Sequence, residues 1–182
     1  MKLGLISDLH SYPGTLQLIQ DIRATHQIEG LVCLGDIANY GDDKFLSVFL
    51  GFIDRLKIPC FLIWGNNESK ADQAQILKSP HNSHLKLRTI DHVKIFGIGG
   101  FDEVESFDPK ILTGVILITH YPPNPATLNR PLPNAPKYHI SGHLHHRAYL
   151  KKYPAITHIQ VPSLALGRYG IFEVEEGTVK FF

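Results

Sequence analysis

The first 65 residues alternate short apolar runs with amphipathic segments, and this alternation limits the folds open to the chain. Each run lacks helical periodicity, which predicts buried strands. The runs lie at residues 3–6, 30–34 and 60–64. A helix is expected over residues 13–26, because Pro13 suits a first helical turn, and another is expected after Asp42 or Asp43. This order predicts a parallel sheet with right-handed crossovers.

The second of these helices is expected to bury one apolar face against the sheet. That face is predicted to contain Phe45, Val48, Phe49, Phe52, Ile53 and Leu56. Pro59 then separates the helix from the third strand.

The pattern changes after residue 65, where short strands outnumber helices. A short helix is expected over 71–78, followed by a hairpin of residues 85–90 and 93–98. Further strands are predicted at 115–119, 138–141, 148–150 and 157–161, with a closing hairpin of 170–174 and 178–182. No repeat or linker interrupts the sequence, so residues 1–182 are expected to form one domain.

The composition excludes several functional classes. A formal charge of +1 gives no strong nucleic-acid signal, and no apolar run is long enough for a membrane span. No signal peptide is recognised before the first strand, and Cys33 and Cys60 lie in apolar runs as expected of buried thiols. A cytoplasmic protein is the resulting expectation, and the sequence does not indicate an oligomeric state.

Residues that commonly bind metals follow five of the predicted strands. Taken singly, each has another interpretation as a turn former or a strand-end polar group, but the pattern recurs at five strand ends. The residues are Asp8, His10, Asp36, Asn66, His120, His143 and His145. Parallel strands present their carboxyl ends at one edge, where ligands bind. Asp8 and His10 are expected to leave an extended chain on the same side.

The ligand types predict a borderline-to-hard divalent ion. Four imidazoles, two carboxylates and one amide oxygen, with no thiolate, suit Mn, Fe, Zn, Ni or Mg. Seven ligands exceed the needs of one tetrahedral ion but suit two ions sharing a carboxylate.

The ordered blocks resemble those of the calcineurin-like metallophosphoesterase superfamily, particularly its small prokaryotic phosphodiesterases. The blocks are Asp8-Leu9-His10, Gly35-Asp36, Gly65-Asn66, His120 and Gly142-His143-Leu144-His145. The resemblance implies a four-layer α/β/β/α sandwich, in which two mixed sheets are flanked by helices.

The same resemblance implies a dinuclear phosphoesterase in which a metal-bridging hydroxide attacks a phosphodiester. Asp8, His10 and His145 would bind one ion, with Mn the leading choice, and Asp36 would bridge to the other. The second ion would be bound by Asn66, His120 and His143. The expected substrate is a small-molecule or nucleotide-type phosphoester.

Two departures from the superfamily pattern bear on catalysis. Asn67 occupies the place of a histidine found in many members; it cannot act as a titrating acid but can donate an amide hydrogen bond to phosphate. It is a candidate catalytic residue, with a turn former as the alternative. Residues 39–41 lack the arginine of Ser/Thr protein phosphatases, so that activity is not expected, and Asn39 is a candidate substrate contact.

Other interpretations remain open at this stage. A scaffold of the same fold would be favoured by lost ligands or by an exposed apolar patch near residues 161–166. A nuclease would be expected to show a basic groove. The proline-rich segment 121–136 is predicted to be a loop at the rim of the site, with a neutral surface loop as the alternative.

Overall fold

A computed structural model of the protein describes residues 1–100, 107–124 and 133–182. The first half contains strands β1 (Lys2–Ile6), β2 (Gly30–Cys33) and β3 (Cys60–Leu62), with helices α1 (Gly14–His26), α2 (Asp43–Arg55) and α3 (Lys70–Lys78). The second half contains β4 (Leu87–Ile90), β5 (Val93–Ile98), β6 (Ile116–Thr119), β7 (Tyr138–Ser141), β8 (Tyr149–Lys152), β9 (Thr157–Gln160), β10 (Gly170–Glu173) and β11 (Thr178–Phe181). Two 3₁₀ helices span Pro109–Leu112 and Leu164–Leu166.

The strands form two mixed sheets. The first has the order β11-β10-β1-β2-β3, and β1, β2 and β3 run parallel, as the sequence predicted. In this sheet β10 pairs antiparallel with both β1 and β11. The second has the order β4-β5-β6-β7-β9-β8, in which β5, β6, β7 and β9 are parallel. The strands that carry the candidate ligands are therefore parallel within each sheet.

The two sheets pack face to face around a shared apolar layer. Leu5, Val32 and Phe61 of the first sheet belong to the same buried cluster as Ile118 and Ile140 of the second. Fully burying one such side chain contributes about 1.5–3 kcal/mol, so this layer holds the sheets together. It also fixes the relative positions of their carboxyl ends.

Helices cover the outer face of the first sheet. Ile19, Phe49 and Ile76, one from each of the three α-helices, lie in a second buried cluster with residues of that face. On the other side, Phe96 and Leu117 pack beneath the 3₁₀ helix Pro109–Leu112. Two mixed sheets with helices outside confirm the expected fold class.

Helix α2 begins where the sequence indicated, but its buried face is shifted. The Asp42 side chain accepts a hydrogen bond from Phe45 N at 3.1 Å and so caps the helix. Val48 was expected to be buried and is 54% exposed, whereas Leu46 is fully buried. One residue turns a helix by about 100°, which carries Val48 away from neighbouring Phe49 at the centre of the buried face.

No helix in the described ranges is long and apolar enough to cross a membrane. Both cysteines are buried and unpaired, as expected. The part of the proline-rich segment that spans residues 125–132 lies outside the described residues.

Candidate metal centre

The loop after β1 brings Asp8 and His10 together by turning rather than by continuing the strand. Strand β1 ends at Ile6, and Asp8 and His10 have left-handed φ angles of 55° and 48°. The backbone N–H groups of Leu9 and His10 both donate to Asp36 O, at 2.8 and 3.0 Å. The expectation of an extended chain here is therefore wrong. The two side chains still converge, with Asp8 Oδ1 3.9 Å from His10 Nε2.

Left-handed backbone recurs at two further candidate ligands, Asp36 (φ 49°) and His143 (φ 68°). This conformation costs about 1–2 kcal/mol for a residue with a side chain, so surrounding contacts must impose it. One such contact is the hydrogen bond that His143 N donates to Asp8 Oδ2 at 3.0 Å. Strained backbone at several candidate ligands is typical of a functional site.

Four of the predicted ligands form a first group in which one ligand atom from each lies within 4.8 Å of all the others. The group consists of Asp8, His10, Asp36 and His145. His145 Nε2 lies 3.3 Å from Asp8 Oδ1 and 3.2 Å from His10 Nε2. This arrangement can hold a divalent ion.

The other three predicted ligands lie against the opposite side of Asp36. His120 Nε2 is 3.5 Å from Asp36 Oδ1 and 3.1 Å from Asn66 Oδ1. The His143 ring centroid is 5.1 Å from that of His120. Burial lowers the pKa of His143, and His120 lowers it further, which favours the neutral imidazole that a metal requires. The structure thus brings all seven predicted ligands together, and ion binding by each remains a prediction.

The donor and acceptor chemistry of these atoms fits bound cations. Asp8 Oδ1 is buried and accepts no hydrogen bond from the described part of the chain. His120 Nδ1 lies 2.8 Å from Leu34 O, which can only accept, so the proton is on Nδ1 and Nε2 offers a lone pair. That lone pair faces the acceptor oxygens of Asn66 and Asp36. Acceptors that face one another without a proton are compatible with a cation between them.

Asn67 lies inside the cluster and is bonded to Asp36. Its backbone N donates to Asp36 Oδ1 at 2.9 Å, and its Nδ2 donates to Asp36 Oδ2 at 3.1 Å. Nδ2 is also 3.2 Å from His10 Nδ1. Asn39 lies on an exposed loop, where its backbone N donates to Ser11 Oγ, and it is not among the residues that line the cleft. A substrate contact by Asn39 stays a prediction.

Glu68 is a buried carboxylate beside the candidate ligands that the sequence analysis missed. Its carboxylate is 3% exposed and accepts hydrogen bonds from four backbone N–H groups, which join the loops after β2 and β3. The donors are Asp36 (3.0 Å), Ile37 (2.6 Å), Ala38 (3.2 Å) and Gly65 (2.6 Å). Burial raises the pKa of Glu68 to about 7, with Asp36 acting in the same direction and the N–H bonds opposing both. Its position directly after Gly65-Asn66-Asn67 was the available signal.

Two glycines permit the close approach of the ligand loops. A Cβ on Gly65 would lie 2.2 Å from Asp36 Oδ1, and one on Gly142 would lie 1.8 Å from Ser7 Oγ. Neither position has room for a larger residue. The glycines that precede Asn66 and His143 therefore have a steric role.

The cluster opens into a cleft of about 540 Å³. The lining residues are His10, Asp36, Asn66, Asn67, His143, Leu144, His145, His146 and Arg147. His146 and Arg147 are exposed, and the His146 carbonyl accepts a hydrogen bond from Arg168 Nη1 at 2.9 Å. Arg147 is a cation able to contact a substrate anion.

Solved structures share this fold. Protein TT1561 of Thermus thermophilus superposes with a TM-score of 0.79 at 11% identity, covering 100% of this chain and 97% of that one. An archaeal phosphodiesterase gives a TM-score of 0.62 at 15% identity, covering 100% and 99% of the two chains. The phosphoesterase Yfce from E. coli gives 0.60 at 18% identity, covering 100% and 98%. No curated protein matches this sequence.

The sequence also matches the model of the calcineurin-like phosphoesterase family over residues 1–147. That match extends over all the blocks that carry the candidate ligands. The chain therefore belongs to the calcineurin-like phosphoesterase family.

Proposed function

We propose that the protein is a dinuclear, metal-dependent phosphodiesterase. The observation that carries the proposal is the position of Asp36 between the two groups of ligands. Its Oδ2 lies 3.8 Å from His10 Nε2 on one side, and its Oδ1 lies 3.5 Å from His120 Nε2 on the other. A carboxylate in this position suits the bridging of two ions. Membership of the family supports hydrolysis of phosphoric esters in general.

Each ion would have three ligands besides Asp36. The first would be held by Asp8, His10 and His145, and the second by Asn66, His120 and His143. Two divalent ions would polarise the phosphate and activate water for in-line displacement. Mn is the proposed metal, with Fe, Zn, Ni or Mg as alternatives compatible with these ligands.

The protein's own side chains support a diester substrate. Asn67 cannot protonate a leaving group by titration, but its amide lies in the cleft and can donate to a phosphate oxygen. Arg147 at the rim can bind a second anionic group of the substrate. A structural neighbour described as a phosphodiesterase adds support. The proposed substrate is a small-molecule or nucleotide-type phosphodiester in the cytoplasm.

The first experiment is hydrolysis of bis-p-nitrophenyl phosphate by chelator-stripped protein, with and without added Mn²⁺. The monoester p-nitrophenyl phosphate serves as the comparison substrate. We expect Mn²⁺ to restore turnover, with the diester hydrolysed faster than the monoester. Faster hydrolysis of the monoester would refute the preference for diesters, but the assignment as a metal-dependent phosphoesterase would stand. If the protein is folded but inactive with every divalent ion tested, the proposed enzymatic function would be refuted and a scaffold role of the same fold would be favoured.

The structure offers no observation in favour of the scaffold within its described residues. All seven candidate ligands are present, and in the segment proposed as an apolar patch Val161 and Leu164 are fully buried. Leu166 is 48% exposed, but a single exposed leucine is common on protein surfaces.

The variant Asn67→Ala tests the candidate catalytic amide. We expect lower kcat on the diester because the variant loses a donor to phosphate. The same variant should also lose the orientation that Nδ2 gives to Asp36. Unchanged diester turnover would remove Asn67 from the catalytic residues.

A further inference from the structure

We propose that Tyr121 is a positioning residue that sets the affinity of the second ion, the one assigned to Asn66, His120 and His143. This inference rests on the two-ion site of the proposed function and adds a residue to it. Tyr121 directly follows His120 at the carboxyl end of β6.

Tyr121 contacts three side chains of the cluster, and all three belong to the second ion's group. Its hydroxyl donates to Asn66 Oδ1 at 3.1 Å. Its ring meets the His120 ring edge to face at a centroid distance of 5.1 Å. The same ring packs against the His143 ring at 4.5 Å with the planes inclined by 52°. One side chain thus contacts every ligand of that ion except Asp36.

The hydroxyl has a specific task because an amide side chain has two unlike ends. Only the oxygen of Asn66 can bind a cation, whereas its NH₂ group would repel one. In the orientation found here the Tyr121 hydroxyl donates to Oδ1, and this bond holds the oxygen towards the cluster. The carbonyl oxygen has two lone pairs, so one remains for the ion. Partners of this kind orient metal ligands and commonly change affinity by 10–100-fold when removed.

Tyr121 is itself held by residues of the second sheet. Thr119 Oγ1 donates to Tyr121 O at 2.6 Å, and the same hydroxyl lies 2.7 Å from His139 Nε2. Since the threonine proton goes to Tyr121 O, the Thr119 oxygen accepts from His139 Nε2–H. Residues outside the cleft therefore fix the backbone from which the tyrosine reaches Asn66.

The test is a calorimetric titration of the full-length, chelator-stripped protein with Mn²⁺. Wild-type protein should bind two ions per chain with two dissociation constants. Tyr121→Phe keeps the ring and removes the hydroxyl, so one constant should rise about 10-fold while the other stays within about twofold. Tyr121→Ala also removes the ring contact with His143 and should raise the same constant further. Tyr40→Phe is the matched control, because Tyr40 is 78% exposed.

The variant Asn66→Asp separates positioning from a general structural role. A carboxylate presents an oxygen in either orientation, so the choice made by the Tyr121 hydroxyl is no longer needed. In the Asn66→Asp protein, Tyr121→Phe should change the dissociation constant of the second ion by less than about threefold. In the protein that retains Asn66, the same substitution is expected to raise it about 10-fold. An equal effect in both backgrounds would overturn the role assigned to the hydroxyl.

The remaining outcomes separate this inference from the proposed function. If wild-type protein binds two ions and Tyr121→Phe leaves both constants unchanged, or raises both equally, the inference on Tyr121 is wrong and the two-ion site stands. If wild-type protein binds fewer than two ions per chain, the two-ion function is wrong and the inference fails with it.

Discussion

Acid should destabilise the protein through two histidines outside the metal centre, His139 and His158. Both are buried in the second sheet, 7% and 1% exposed. His139 Nε2 is 2.7 Å from Thr119 Oγ1, and His158 Nε2 is 2.8 Å from Ser141 Oγ, so each has a neutral hydrogen-bond partner. Burial lowers the pKa of His139 to about 3, with His158 adding to the effect, and lowers the pKa of His158 to about 4.

The sign and size of the effect follow from proton linkage. As pH falls, the unfolded chain takes up protons at its ordinary histidine pKa of about 6.5, whereas the folded chain does not until much lower pH. Stability is therefore lost from about pH 7.5 downwards. Between pH 7.5 and pH 5 each histidine contributes about 2 kcal/mol to this loss, and about 4 kcal/mol together. The result barely depends on the folded pKa once that value is about 4 or lower.

The assay is urea unfolding at both pH values, with EDTA present to remove metal ions. Unfolding is monitored by the fluorescence of the buried Trp64, the single tryptophan of the chain. In His139→Gln the drop in unfolding free energy between pH 7.5 and pH 5 should be about 2 kcal/mol smaller than in wild type. His158→Gln should behave alike. For a typical urea slope this corresponds to about 1 M in midpoint.

Comparison with wild type cancels the titration of other groups, including Glu68. His92→Gln is the matched control, because the His92 side chain is 71% exposed. Drops in His139→Gln and His158→Gln equal to that of wild type would show that neither buried histidine resists protonation, and the reasoning would be refuted.

Three further predictions concern the loops of the metal centre. Gly142→Ala should lower kcat/KM about 100-fold, since its Cβ would lie 1.8 Å from Ser7 Oγ and 2.8 Å from Ser7 Cβ. Gly51→Ala within α2 should leave kcat/KM unchanged and raise the free energy of unfolding by about 1 kcal/mol, and equal effects of the two variants on kcat/KM would contradict the steric role. Glu68→Gln should lower the free energy of urea unfolding by about 2 kcal/mol and weaken binding of both ions in a Mn²⁺ titration, and an unchanged variant would show that the four N–H bonds are dispensable. Arg147→Gln should raise KM for the diester about 10-fold with kcat nearly constant, and an unchanged KM would exclude Arg147 from substrate binding.

The order of elements and the membership of the metal cluster could be predicted from the sequence, because both depend on local patterns. Apolar runs without helical period became the strands, and the candidate ligands lie within four residues after the end of a strand. The parallel arrangement of β1, β2 and β3 then places Asp8 and Asp36 at one edge. Hydrophobic periodicity was less informative about which side chains of α2 are buried. Val48 lies at the border of the buried face and is exposed.

Features that depend on contacts between distant loops could not be predicted. The turn at Asp8 and His10 is imposed by hydrogen bonds to the loop after β2, which no pattern within residues 1–12 encodes. Glu68 was missed for the same reason, since its four partners become visible only when the loops after β2 and β3 lie together. Tyr121 reads as an ordinary loop residue until its hydroxyl is seen beside Asn66.

The last part of the chain supports a site to which it contributes no candidate ligand. The last candidate ligand along the chain is His145, yet the strand that leads to Asp8 pairs with β10, which lies after it. Leu164 N donates to Ser7 O at 2.8 Å, and Ser163 Oγ donates to Asp8 O at 2.7 Å. A nascent chain would thus present all of its ligands before it could complete the first sheet. If the site binds metal, binding is accordingly expected only after residues 163–181 have left the ribosome.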